Sequence, residues 1–181
     1  MLSIVIPSFE CFDERNGTFI TFDKSTTLQL EHSLMSISKW EEKWHKPFLD
    51  KKPKTLQESI DYVRCMTLNK NVDFNVYLGL TDANMNAIND YMEAPMTATT
   101  FSKNANEKSN REIVTSEIIY YWMIALNIPM EFQKWHINKL LTLIRVCNVK
   151  NTPPKKMNRE ESFAKRKALN EARKARMHSS G

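Results

Sequence analysis

The rhythm of hydrophobic positions changes near residue 30. Before it, LSIVI (2–6), TFITF (18–22) and TTLQL (26–30) are short runs rich in β-branched and aromatic residues, the pattern of strands. Asn16-Gly17 supplies a turn between the first two, so this segment predicts a small antiparallel sheet or hairpin of about three strands. Helical spacing then takes over. Leu34, Ile37, Trp40 or Glu41, Trp44 and Phe48 recur three or four apart, and Pro47 places the stop near Lys46. Thr55 and Glu58 are spaced as a capping box that opens a helix to about Leu68, with Ile60, Val63 and Met66 inward. Thr81-Asp82 opens another helix through Tyr91 and Met92.

Residues 93–115 are polar and predict a mobile loop. The decapeptide EIIYYWMIAL (117–126) is apolar almost all round, which predicts a central helix. Ile128-Pro129 interrupts it, and the next helix carries Phe132, Ile137, Leu140, Leu141, Ile144 and Val146 to near Asn148. The short connection predicts that the two pack antiparallel as a helical hairpin. Paired prolines at 153–154 exclude a continuing helix, and the Ala/Lys/Arg/Glu-rich stretch beyond them predicts a weakly folded, solvated helix. The fold class is therefore α+β, mostly α. It comprises an N-terminal β element (1–30), an α-helical body (31–148) and a linker with a basic C-terminal arm (149–181).

Charge reinforces that division. The net charge is +5, but residues 149–181 hold ten Lys and Arg against three Glu, which leaves the body at −2. Only 3 of 181 residues are glycine, too few for a dinucleotide fold or a P-loop, where several glycines must let backbone approach phosphate. Cys11, Cys65 and Cys147 are odd in number and far apart, so neither a disulfide framework nor a metal knuckle is expected. The opening MLSIVIPSFECFDE lacks a basic start and a long apolar run, so it is not read as a signal peptide. No stretch approaches the roughly 18 apolar residues of a membrane span, and a soluble, intracellular protein without a membrane partner is expected.

The chemistry-bearing residues do not form a catalytic pattern. His32, His45, His136 and His178 show no metal-ligand spacing, and neither a metal nor a cofactor is expected. Glu131 and His136 are five apart and share no helix face, while Cys147 lacks a glycine-framed elbow. The chain reads as a non-enzyme. Its tryptophans point instead to contacts: Trp40 and Trp44 share a helix face, one expected in the core and the other facing a partner. Trp122 and Trp135 join them as candidate partner-binding residues, with Lys165, Arg166 and Arg173 on the basic arm. Ten methionines suit either core filling or a surface that repacks. The arm has one aromatic, Phe163, and its glutamates dilute the charge, so an acidic protein is favoured over nucleic acid as its partner.

Three phrases carry a resemblance: LQLEHSLMSISKWEEKWHKPFL (28–49), YYWMIALNIPMEFQKWHINKLLTLIRVCN (120–148), and the trailing PPKKM with its Ala/Arg/Lys tail. Together they cover most of the chain, which resembles the tail assembly chaperones of long-tailed phages of low-GC hosts. The resemblance implies a non-enzymatic protein of the host cytoplasm that binds the long helical tape measure protein before the tail tube polymerises. Tail tube subunits are the other partner it implies, and self-association is a separate expectation. Many such proteins also have a frameshifted longer form. The competing expectation is a permanent virion subunit of the tail, neck or baseplate, and a third is a DNA-binding packaging adaptor.

Overall fold

A computed structural model describes residues 1–13, 17–101, 113–152 and 159–177. The chain divides into two compact units, 1–148 and 149–181. The first begins with four strands, β1 (Leu2–Ile6), β2 (Phe9–Asp13), β3 (Thr18–Phe22) and β4 (Thr26–Leu30). The expected three strands become four because FECFD, with its charged interruptions, also pairs. Pairing is nested: β1 with β4 and β2 with β3, both antiparallel. Gly17, at φ +63°, therefore precedes β3 in the inner hairpin and does not link the first strand to TFITF. Its lack of a Cβ makes that left-handed conformation inexpensive.

Between the two ladders Pro7 and Ser8 face three residues, Asp23 to Ser25, so the pairing slips by one. Pro7 has no N–H to give to a ladder, which accounts for the break. Ile4, Ile6, Leu28 and Leu30 of the outer ladder are buried. In the inner ladder Phe9 stacks on Phe22 with centroids 4.8 Å apart, while Phe12 and Phe19 meet on the solvent side. The free side of β4 is closed by the segment after residue 65: Leu68 N–H donates to Gln29 O (2.8 Å), and the Asn69 side chain bonds Gln29 N and Thr27 O.

The helices are α1 (Leu34–Trp44), α2 (Leu56–Met66), α3 (Asp82–Glu93), α4 (Ser116–Ala125), α5 (Ile137–Asn151) and α6 (Arg159–Met177). Short 3-10 turns occupy Phe74–Gly79 and Met130–Lys134. Ser33 caps α1, and His45 ends it at φ +52°. The Thr55–Glu58 capping box opens α2 as its spacing implies, and Thr81 with Asn84 forms a second box at α3. Strands and helices share one core, in which Leu34, Ile37, Trp40, Val63, Met66, Ile119, Met123, Ile137 and Leu140 are nearly inaccessible. The fold is thus α+β and mostly α.

Three helical expectations are corrected. α4 packs on α1 and does not pair along its length with α5. It is not central either: Tyr121 and Ile124 are 66% and 67% exposed. Pro129 starts the 3-10 turn, Trp135 is extended (φ −71°, ψ 159°), and α5 begins only at Ile137, leaving Phe132 outside it. Of the polar stretch 93–115, residues 102–112 lie outside the described residues. Among the described residues no helix is long and apolar enough to cross a membrane.

Gly79 joins the inner hairpin to the body. A Cβ there would lie 2.3 Å from the Phe9 ring, which is already held by Phe22. Gly79→Ala is expected to lower the unfolding free energy by about 1–3 kcal/mol in urea denaturation, the usual cost of overpacking. An unchanged midpoint would mean that the Phe9 contact does not anchor the hairpin.

Candidate interaction surface

Trp40 is not available to a partner. It is 1% exposed, its indole N–H donates to Glu58 O (2.9 Å), and Phe48 meets its ring edge-on at 5.1 Å. This corrects the assignment of Trp40 to a binding face: the indole is the joint between α1 and α2. Trp44, one turn on, is half-buried and stacks on Trp40, with Lys43 and Lys46 lying 5.8 and 5.7 Å from its ring centre. The same lysines reach across to α2, Lys43 to Asp61 and Lys46 to Glu58, each at 2.5 Å. The Lys46 ammonium and the Thr55 N–H hold the Glu58 carboxyl below the usual carboxylate range. Burial pushes Asp61 up, but bonds to Lys43 and Arg64 outweigh it and hold that carboxyl low as well. Both lysines remain half-exposed, so these pairs orient α2 more than they stabilise it.

α4 is fixed from its first residue. Glu41, buried on α1, accepts one hydrogen bond from Phe48 N–H (2.7 Å) and another from Ser116 N–H at the start of α4 (2.8 Å). The carboxylate thereby supplies a partner and a negative charge to a helix N-terminus. With Ser116 pinned, the helical period directs Ile119 and Met123 into the core and leaves Tyr121 and Ile124 in solvent. Ile118, Tyr120 and Trp122 are half-buried. The Tyr120 hydroxyl reaches Gln133 (2.9 Å) and ties α4 to the 3-10 turn, where Phe132 stacks on Trp135 at 3.9 Å and the Lys139 ammonium lies 4.1 Å from the Trp135 ring centre. Trp122 and Trp135 are thus half-buried on separate elements, while Trp40 and Trp44 are brought together.

The sequence did not single out Tyr121, Ile124 or Glu41. Glu41 had a signal, an acid occupying an apolar position of the α1 stripe. An apolar ten-residue stretch does not say which of its sides lacks cover. The methionines divide: Met66 and Met123 are fully buried, whereas Met96 and Met130 are exposed. On α6, Arg166 and Arg173 are exposed, and the side chain of Lys165 lies outside the described residues.

One group of titratable side chains is internal. The His32 ring is hydrogen-bonded to the Tyr62 hydroxyl and meets the His136 ring edge-on at 5.1 Å. His136 donates from Nε2 to Tyr91 O (3.0 Å) and accepts the Asn138 N–H at Nδ1 (3.3 Å). The Tyr91 hydroxyl donates to Glu31 (2.7 Å). His32, Tyr62, Tyr91 and His136 are each buried, and among the described residues no cluster of His, Cys, Asp and Glu is arranged to hold a metal. Its geometry is that of a lock joining the β4–α1 connection to α2, α3 and the start of α5, with Ile137 N–H donating to His32 O (2.8 Å).

That lock has a pH signature. Burial, with help from His136, lowers His32 from 6.5 to about 3, and burial lowers His136 too. The folded state therefore keeps rings neutral that the unfolded chain protonates below about pH 6.5. Stability is complete above that pH and falls as acid is added, by up to about 1.4 kcal/mol per pH unit for His32. Urea titrations between pH 6.5 and 5, above the carboxylate range, are expected to show this slope, and His32→Gln is expected to flatten it. A pH-independent midpoint in the unsubstituted protein would contradict the assignment.

Neither models of known protein families, nor curated proteins, nor solved structures yield a match to this chain.

Proposed function

We propose that the chain is a non-enzymatic chaperone of phage tail assembly, which holds the tape measure protein through the outer face of α4. The observation that carries this reading is the pair Tyr121 and Ile124, two large apolar side chains about two-thirds exposed on a helix whose other sides are seated. The resemblance of residues 28–49 and 120–148 to tail assembly chaperones supplies the partner. A tape measure is a long helical protein whose apolar surface needs cover before the tube encloses it. Helix-on-helix docking at a small patch suits an interaction that tube subunits must later displace.

A second reading, a permanent tail, neck or baseplate subunit, draws on the inner hairpin. Phe12 and Phe19 are 51% and 73% exposed at its outer end, where strand addition to a neighbour's sheet could bury them. Mass spectrometry of purified particles separates the two: a chaperone is absent or present in traces, a subunit in fixed copy number.

Substitution at Trp40 is a poor test, because it disrupts the joint between α1 and α2. Tyr121→Asp with Ile124→Asp keeps every buried contact and is expected to weaken retention of the co-expressed tape measure by at least about thirtyfold, the effect of losing a central aromatic anchor. Unchanged far-UV circular dichroism checks the fold. Full co-purification by the folded double variant would remove α4 as the binding face.

A further inference from the structure

α6 sorts its charges in a way that the composition of the arm conceals. Arg166 and Arg173 stand seven residues apart, as do Lys167 and Lys174, so each pair recurs after two turns on one side of the helix. Phe163, Asn170 and Met177 recur at the same interval and run between the arginine row and the lysine row. All seven side chains are exposed, Phe163 at 74% and Met177 at 77%. Glu171 falls beyond the lysine row, and Ala164, Ala168 and Ala172 lie toward the opposite side.

We propose that this face binds the phosphate backbone of a nucleic acid. The two Arg-Lys pairs are separated by about 10.5 Å along the helix, so four cations line one exposed face. A row of cations along one face suits a polyanion that carries a charge on every unit. Phe163 stands within the cationic face, where its ring offers a stacking surface to an unpaired base. Dilution by glutamate and the single aromatic weigh against nucleic acid when residues are only counted. The helix answers the second argument, because the aromatic is set in the middle of the cationic face, while Glu171 borders the lysine row.

The test is fluorescence anisotropy of the full-length protein with a short labelled single-stranded RNA and a short DNA duplex across a salt series. Four phosphate contacts predict a slope of log K against log salt of about −3 to −4 on the duplex. The combined variant Arg166→Gln, Lys167→Gln, Arg173→Gln, Lys174→Gln is expected to lose at least about tenfold in affinity at low salt, with helix content unchanged. Phe163→Ala distinguishes the sources: loss on RNA alone identifies a single strand, and loss on neither identifies duplex backbone. Salt-insensitive binding, binding retained by the combined variant, or competition by polyglutamate equal to that of nucleic acid at matched charge would each overturn the proposal.

Discussion

The carboxylate of Glu41 anchors the start of α4 on α1. It is 8% exposed and bridges two backbone amides that lie far apart in sequence, those of Phe48 and Ser116. Charge-assisted bonds of this kind contribute about 1.5–3 kcal/mol each, and a helix N-terminus favours the negative charge further. With the start of α4 held there, the burial of Ile119 and Met123 sets the rotation of the helix about its axis. Ile119 and Met123 complete the core beneath α1, and Tyr121 and Ile124 are committed to the outside.

The free side of β4 is covered by Leu68 and Asn69, two helices begin with reciprocal capping boxes, and the buried His32–Tyr62 and His136–Tyr91 contacts satisfy polar atoms in the core. Two uncovered large apolar residues on one face of a seated helix favour a surface that is completed by another polypeptide. A rigid, pre-formed face also costs little order on binding, so a small patch suffices for a reversible hold.

Local signals were legible in the sequence wherever chemistry is local. Pro47 places the end of α1 near Lys46, two residues beyond its last residue Trp44, and Thr55 with Glu58 opens α2. What required tertiary information was hidden for physical reasons. FECFD mixes acids with aromatics and pairs only because TFITF lies opposite. EIIYYWMIAL suggests burial on all sides, since periodicity reports the composition of a face and not whether a neighbour covers it. Trp40 and Trp44 looked equivalent four residues apart, yet one donates to Glu58 O in the core and the other closes the edge of the same stack. Tyr121 and Ile124 lie inside the apolar decapeptide, and only the packing of Ile119 and Met123 shows which side of it is left exposed.

The central claim is that the outer face of α4 is covered by a helical partner while the rest of the body is unchanged. Hydrogen–deuterium exchange of the protein alone and in complex with the tape measure tests it most directly. The account predicts added protection concentrated in residues 116–126, with α2 and the β1–β4 ladder unaffected. Protection confined to the β2–β3 hairpin, with α4 exchanging as in the free protein, would contradict it.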